Sequence, residues 1–362
     1  MASRSCVRAL CVLSAAGHVT CSLQSGCAAL PAPDPPNVPA GFDDQLQLVQ
    51  LSASRHGRGE ADDKHNIVYY LHIPRTSGSS FIWDAQRTLW DLQMASKEGC
   101  YDWKDKIAGV GQVAAMVRSP RAHVLSQYLY CSEGPIAWMT KVRGFRKWAQ
   151  DWVELQARGT VVGDYSAGGH DQIKNQKFVT FTALPFKCYN PANLQCQHFT
   201  CNRPFKYPAK VDVDLAIRNM EDTWFVGISE AYQESLCLFH VKLRGILPPF
   251  CNCMDKTAWF SFNQTRYARH AARTKASHNV SDFPAEVLQA VDSLTAADRM
   301  LYKAAVRRFV QEVHGAEQTF ETKILCEDTL QTDRRLGDGL ESHFALYLRD
   351  AVVELRELKA RL

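Results

Sequence analysis

Several signatures of common protein classes are missing from this chain of 362 residues. The ATP- and GTP-binding motif Gly-x-x-x-x-Gly-Lys-Ser/Thr does not occur, which argues against that type of phosphate loop. No two-plus-two set of Cys-x-x-Cys motifs occurs, which disfavours a zinc site. The basic residues are dispersed and the formal net charge is +4. We therefore predict no nucleic-acid binding.

Cysteine is abundant, with 13 residues in the chain. Four lie within residues 1–28, and the other nine include Cys188, Cys196 and Cys201 in one loop-like stretch. We expect disulfides formed in an oxidising compartment, with the pairing left open. Since nine is odd, at least one of these thiols should be free.

The composition changes along the chain and suggests four parts. Residues 1–28 have a basic flank and a short apolar core, which indicates a signal peptide or a weak signal anchor. Residues 29–65 are rich in Pro, Ala, Asp and Gly and read as a disordered stem or linker. A folded domain over 66–320 and a C-terminal helical extension over 321–362 follow.

Three apolar stretches predict strands of one sheet: Ile67–Ile73, Val113–Val117 and Trp224–Ile228. The first two each run through a short loop into a helix start, which predicts an α/β fold with a central parallel sheet and helices on its faces. Residues 159–210 read as loop-rich. Further helices are predicted at 145–158, 230–247, 296–313 and 340–362. Trp148 and Trp152 read as core residues rather than as a sugar platform.

The loop after the first strand has the composition of an anion cradle. It reads Pro74-Arg75-Thr76-Ser77-Gly78-Ser79-Ser80, with one cation, one glycine and four hydroxyl side chains. Such a loop can direct backbone N–H groups, hydroxyls and a positive charge to one point, which suits phosphate or sulfate. An ordinary strand-to-helix turn is the alternative.

A second element follows the second strand. Arg118 comes at the strand end, Pro120 is well placed to begin a helix, and Ser126 follows about two helical turns later. Arg121 reads as a solvated helix residue.

Together these elements resemble the sulfotransferase family, most closely its Golgi carbohydrate and heparan-sulfate branch. That family commonly has Pro-Lys-Thr-Gly-Gly-Thr in the loop, then Arg-x-Pro and Ser-x-Tyr. The present chain has Pro74–Ser79, Arg118-Ser119-Pro120 and Ser126-Gln127-Tyr128. Segments Cys188–Gln195 and Phe225–Leu236 are also similar to that branch. Arg75 replaces the common Lys, and Ser77 replaces a Gly.

The resemblance implies a P-loop-like three-layer fold, with residues 66–320 as the catalytic domain. The donor would be 3′-phosphoadenosine 5′-phosphosulfate, with no metal required. The loop Pro74–Ser80 would bind its 5′-phosphosulfate, with Arg75 on the reacting oxygens. Arg118 and Ser126 would bind its 3′-phosphate, and Arg273 and Lys275 would form a late basic loop over the nucleotide.

A general base is harder to identify. In the resembling branch it is a His or Glu between the two donor motifs, but no His lies between His72 and His123. Glu98 and Asp102, in a stretch similar to the family's base-bearing region, are the candidates.

The expected activity is transfer of a sulfuryl group to a glycan hydroxyl or amine in the Golgi lumen or elsewhere in the secretory pathway. Asn263 and Asn279 are glycosylation sequons in keeping with that route. A tyrosylprotein sulfotransferase is the alternative that Arg75 suggests. A non-catalytic nucleotide- or glycan-binding protein is the alternative that the missing His suggests. A P-loop kinase is disfavoured, and the acceptor and oligomeric state stay open.

Overall fold

The computed structural model of the chain describes residues 8–13, 19–24, 47–48, 67–106, 110–133, 144–157, 189–201, 211–265, 283–326 and 343–361. The chain divides into two compact units, Met1–Asp43 and Asp44–Leu362. In the first unit, strand β1 (Arg8–Leu13) pairs antiparallel with strand β2 (Val19–Gln24). The prediction of a signal peptide or anchor falls in this unit and stays a prediction.

The second unit is built around one sheet with the strand order β3-β5-β4-β6-β7. Its strands are β3 (Gln47–Leu48), β4 (Ile67–Leu71), β5 (Gln93–Lys97), β6 (Val110–Val117) and β7 (Phe225–Ile228). Strands β4 to β7 are parallel, and the short edge strand β3 runs antiparallel to β5. The predicted α/β class with a parallel sheet is confirmed, and the three predicted strands are present.

The central strands are apolar because both faces of the sheet are covered. Val68–Leu71 on β4 and Val113–Val117 on β6 are all buried. Successive side chains of a strand point to opposite faces, so their common burial requires packing on each side. Continuous apolar runs of this kind are typical of parallel sheets between helices.

Ten α-helices accompany the described strands: α1 (Gly78–Thr88), α2 (Pro120–Glu133), α3 (Phe145–Ala157), α4 (Leu194–Thr200), α5 (Val213–Asp222), α6 (Tyr232–Arg244), α7 (Lys256–Thr265), α8 (Ala285–Leu294), α9 (Ala296–Phe320) and α10 (His343–Arg361). Short 3₁₀ turns cover Tyr101–Lys106, Ser229–Ala231 and Pro249–Cys251. In the described part of the chain, no helix combines the length and the apolar character that crossing a membrane requires.

Two predicted helix ends and one predicted loop region need correction. Helix α6 ends at Arg244 rather than at 247, because Gly245 adopts a left-handed conformation with φ of 64° and closes the helix. Helix α9 runs on to Phe320 instead of ending at 313. The region 159–210 was expected to be loop-rich, yet residues 194–200 of it form helix α4.

Aromatic side chains fill two cores. The main core stacks Phe81 of α1 against Phe225 of β7, with ring centroids 5.4 Å apart, and sets both edge-on to Phe239 of α6. A second cluster holds Trp148 and Trp152, which are buried among residues of α2, α3 and α8. The interpretation of these two tryptophans as core residues is therefore confirmed.

Three disulfides have both cysteines among the described residues of the second unit, in agreement with the predicted oxidising environment. They are Cys100–Cys201, Cys237–Cys251 and Cys253–Cys326. Cys196 is a buried free thiol, so the expectation of at least one unpaired cysteine is also confirmed.

The C-terminal helix α10 packs on α9 within the same unit. Ion pairs Lys303–Asp350 and Arg307–Glu354 border the contact, and Leu348 is fully buried. The predicted tail helix is thus present as a packed element.

Candidate functional site

The strand order creates a crevice where the two predicted motifs lie. Strand β4 is followed along the chain by β5 on one side, whereas β6 is followed by β7 on the other. Loops that leave neighbouring parallel strands in opposite directions leave a crevice at the carboxyl ends, where ligands of α/β proteins bind. The loop Pro74–Ser77 follows β4 and Arg118 follows β6 directly.

The loop has an unusual backbone. Arg75 and Ser77 have positive φ angles of 67° and 68°, which residues other than glycine rarely adopt. Ser77 stands where the resembling family has a glycine, and its left-handed conformation gives a physical reason for glycine there. Strained loop residues of this kind concentrate at ligand sites.

Thr76 holds the loop together from within. It is fully buried, and its hydroxyl donates to the carbonyl of Ile73 at 2.8 Å. Its own carbonyl accepts from the Ser229 hydroxyl at 2.8 Å. The Thr76 hydroxyl is therefore committed to the protein, and its contribution to a ligand would come from the backbone N–H.

Helix α1 begins directly after this loop and points its N-terminus into the crevice. Its first turn is formed by Gly78, Ser79 and Ser80 and contains no acidic residue. The first N–H groups of a helix have no intrahelical partner, and the helix dipole makes this end positive. Ser79 and Ser80 are half-buried.

The two motifs are in direct contact through their charged side chains. Arg118 Nη1 donates to the carbonyl oxygen of Arg75 at 3.1 Å. Arg75 Nε donates to Ser126 Oγ at 3.2 Å. Ser126 is buried rather than being an ordinary exposed helix serine. Arg75, Arg118 and Ser126, which are far apart in sequence, therefore lie together.

Arg118 is fixed by two residues that sequence reasoning did not assign. The Gln195 side chain accepts from Arg118 N at 2.9 Å and donates to Arg118 O at 2.8 Å. Glu230 accepts from Ser119 N at 3.0 Å and from the Tyr302 hydroxyl at 2.8 Å. Glu230 lies in the segment 225–236, which resembles the family, but nothing in that segment's sequence identifies it as a support of this site.

The charges of this crevice are partly buried. Burial lowers the pKa of Arg118, the nearby Glu230 carboxylate opposes that change, and the Arg75 guanidinium adds to it. Burial likewise raises the pKa of Glu230, against the opposing effect of Arg118. Arg118 thus has one carboxylate and a second guanidinium near it, and a bound anion would balance the excess positive charge.

His123 of helix α2 holds the loop through the Pro74 carbonyl. Its Nε2–H donates to the Pro74 carbonyl at 2.7 Å, which leaves Nδ1 to accept from the Gln127 amide at 3.2 Å. Complete burial lowers the pKa of His123 to about 3, so the ring is neutral. His123 is a structural residue that connects α2 to the loop.

The two candidates for the general base differ in position. Glu98 is half-buried and directly follows β5, whose last residue Lys97 is in register with Leu71 of β4. It therefore lies at the same edge of the sheet as the loop. Asp102 is exposed in the 3₁₀ turn. The geometry favours Glu98 over Asp102.

His198 lies beside this acidic stretch and was not predicted. Its Nδ1 bonds to the carbonyl of Gly99, and its Nε2 is buried with no hydrogen-bond partner among the described residues. Burial lowers the pKa of His198 to about 4. Together with the Cys100–Cys201 disulfide, it fixes the backbone that follows Glu98.

The remaining predicted residues divide into two groups. Arg273 and Lys275 lie outside the described residues, as does Asn279. Arg121 is not a solvated residue: it forms a two-point ion pair with Asp292 of α8, at 2.8 and 2.6 Å. No described group of three or more His, Cys, Asp or Glu side chains is arranged to hold a metal ion.

Comparison with protein-family models, with curated proteins and with solved structures found no match to this chain. The likeness to sulfotransferases therefore stays a prediction, and it depends on the Pro74–Ser80 loop and the Arg118–Ser126 element.

Proposed function

We propose that this protein is a sulfotransferase of the secretory pathway, acting in the Golgi lumen. It would move a sulfuryl group from 3′-phosphoadenosine 5′-phosphosulfate to a hydroxyl or amine of a glycan. We also propose that its α/β fold is the P-loop-like three-layer fold of sulfotransferases. The three disulfides are in keeping with that compartment.

One observation carries the proposal. Two segments that independently resemble the family's donor motifs meet at the carboxyl edge of the sheet, where Arg118 Nη1 bonds to Arg75 O and Arg75 Nε bonds to Ser126 Oγ. An unrelated strand-to-helix turn would have no reason to share hydrogen bonds with the second motif. The excess of guanidinium over carboxylate there suits a donor with two anionic groups.

The transfer step needs positioning and electrostatic stabilisation more than a covalent intermediate. The acceptor oxygen or nitrogen forms a bond to sulfur as the bond from sulfur to the bridging phosphate oxygen breaks. The nucleotide leaves with that electron pair as 3′-phosphoadenosine 5′-phosphate. The N–H groups at the start of α1 would stabilise the charge that builds on the leaving oxygen.

The acceptor's proton would pass to a carboxylate. Glu98 is our candidate, because it follows β5 at the edge that carries the loop. His198 and the disulfide at Cys100 would keep the adjoining backbone in place. Asp102, which is exposed, is the weaker candidate.

Two other functions are alternatives, one suggested by Arg75 and one by the lack of a histidine between His72 and His123. Arg75 in place of lysine favours a tyrosylprotein sulfotransferase, which would accept tyrosine peptides in preference to sugars. A binding protein without activity would take up the nucleotide and transfer nothing to any acceptor.

The test uses the full chain, labelled donor and a panel of polysaccharides and tyrosine peptides. We expect transfer by the wild type and near-background transfer by Arg118→Ala. That variant should also bind 3′-phosphoadenosine 5′-phosphate about 10- to 100-fold more weakly, since charge-assisted bonds contribute roughly 1.5–3 kcal/mol.

Arg146→Ala is the matched control, because Arg146 is an exposed arginine of α3 away from the crevice. It should bind and transfer like the wild type. A wild-type protein that binds neither the donor nor the bisphosphate would disprove the proposal. Binding without transfer to any acceptor would support the inactive alternative.

A further inference from the structure

Arg75 follows β4, but its side chain is directed across the crevice to helix α2. Its Nε donates to Ser126 Oγ at 3.2 Å, and its Cζ lies 4.8 Å from the centre of the Tyr130 ring. Ser126 and Tyr130 are one helical turn apart and share a face of α2. The guanidinium therefore lies between a hydroxyl and an aromatic ring of the same helix face.

This position is supported from two further directions. The Tyr130 ring contacts the Tyr189 ring, with centroids 5.7 Å apart, so a second segment stabilises the platform. The carbonyl of Arg75 accepts from Arg118 Nη1, and its backbone is in the left-handed conformation. Backbone and side chain are both constrained, and the planar guanidinium suits stacking in a way that an ammonium does not.

These contacts separate Arg75 from the role that the resemblance implies for it. A residue on the reacting oxygens would lie with the α1 N-terminus, where the 5′-phosphosulfate is expected. Arg75 instead shares Ser126, the expected ligand of the 3′-phosphate, and lies beside Arg118, its expected partner. A phosphate monoester carries close to two negative charges, which two guanidinium groups would balance.

Resting on the proposed function, we propose that Arg75 binds the 3′-phosphate of the donor together with Ser126 and Arg118, and that Tyr130 positions it there. The 5′-phosphosulfate is then held by the backbone N–H groups and hydroxyls at the start of α1. Arg75 determines the preference for nucleotides that carry a 3′-phosphate.

The experiment compares two ligands by calorimetry: adenosine 3′,5′-bisphosphate and adenosine 5′-monophosphate, which differ only in the 3′-phosphate. In Arg75→Ala, the affinity for the bisphosphate should fall about 10- to 100-fold while that for the monophosphate stays within a factor of two or so. The ratio of the affinity for the bisphosphate to the affinity for the monophosphate should therefore fall by about 10- to 100-fold. An equal loss for both ligands would place Arg75 on the 5′ side and overturn the inference.

Variants of Tyr130 test the positioning role. Tyr130→Phe keeps the ring and should keep the wild-type preference, whereas Tyr130→Leu should lower it by about 3- to 10-fold, since a cation–π contact contributes roughly 0.5–1 kcal/mol or somewhat more. Identical preferences in the two variants would contradict the role of the ring. Thermal melts of all variants, with Arg146→Ala as the matched arginine control, establish that they are folded.

The two proposals fail in different ways. If the wild type binds neither nucleotide, the proposed function fails and the inference with it. If the wild type prefers the bisphosphate but Arg75→Ala keeps that preference, the function stands and only the role of Arg75 is wrong.

Discussion

At the scale of single residues, Gly78 shows how closely the loop is packed. A Cβ atom added to Gly78 would lie 2.5 Å from His72 Cδ2 and 3.0 Å from Tyr70 Cε1. Gly78 is not among the residues with positive φ, so crowding rather than backbone conformation requires the glycine. The His72 ring thus packs directly against the start of helix α1.

We expect Gly78→Ala to lower the free energy of unfolding by about 1–3 kcal/mol, because rigid neighbours must shift to admit the methyl group. Gly315 is the matched control, since it lies within α9 and a Cβ there would meet no described atom within 4 Å apart from the neighbouring backbone of its own helix. Gly315→Ala should instead raise the free energy of unfolding by about 0.5–1 kcal/mol. Denaturant unfolding of both variants measures the contrast, and a stabilised Gly78→Ala protein would contradict the crowding.

The sequence identified residues whose role follows from their immediate neighbours. The loop after β4 and Arg118 at the end of β6 were found because each follows an apolar run that predicts a buried strand. Gln195 and Tyr130 could not be found in this way. Gln195 contacts Arg118 across 77 residues of sequence, and no local pattern marks a side chain that bonds to a distant backbone.

At the scale of elements, helices α4 and α9 cap each other. The Asp298 carboxylate accepts from Cys196 N at 2.8 Å and Gln195 N at 3.2 Å, at the start of α4. Asn193 Oδ1 accepts from Ala297 N at 2.9 Å and Asp298 N at 3.2 Å, at the start of α9. These bonds satisfy N–H groups that a helix leaves unpaired. They also fix the first turn of α4, which carries Gln195.

Gln195→Ala should lower the free energy of unfolding by about 1–3 kcal/mol, because it leaves the N–H and carbonyl of Arg118 without their partners in a mostly buried place. It should also weaken binding of adenosine 3′,5′-bisphosphate, because the Arg118 backbone is no longer held in place by the Gln195 side chain. Gln289→Ala, on the exposed face of α8, is the control. Calorimetry and denaturant unfolding that show no difference between the two variants would refute this role.

Helix α4 also shows why some elements escape sequence reasoning. It is seven residues long and all of them are buried, so it lacks the alternation between apolar and polar faces that predicts a helix. Its sequence includes two glutamines, a histidine and a threonine, which suggest a loop. Three of these polar side chains are inside because each has a hydrogen-bond partner there: Gln195 bonds to the Arg118 backbone, His198 to the Gly99 carbonyl and Thr200 to the Cys196 carbonyl.

At the scale of the whole molecule, burial shifts the pKa values of three histidines and one aspartate. Burial lowers the pKa of His123 to about 3 and the pKa values of His198 and His240 to about 4. Burial raises the pKa of Asp298 to about 6. These four groups belong to α2, α4, α6 and α9, so a change of pH acts on several elements of the second unit at once.

We expect the protein to lose stability as the pH falls from 7 to 5. Below about pH 6.5 the unfolded chain takes up protons on three histidines that the folded protein keeps neutral, so stability decreases until their folded pKa values are reached. Asp298 acts in the opposite direction. Its stabilising contribution is complete below the unfolded value near 3.8 and is lost as the pH rises through about 6.

Each fully shifted group changes the free energy of unfolding by up to about 1.4 kcal/mol per pH unit, so three histidines outweigh one aspartate. Denaturant unfolding at pH 7, 6 and 5 measures the net slope. His123→Gln should flatten it, because Gln keeps a donor for the Pro74 carbonyl and cannot take up a proton. Asp298→Asn should steepen it, because the offsetting group is gone. A stability that is constant or rises between pH 7 and pH 5 would show that these histidines do not stay neutral in the folded protein.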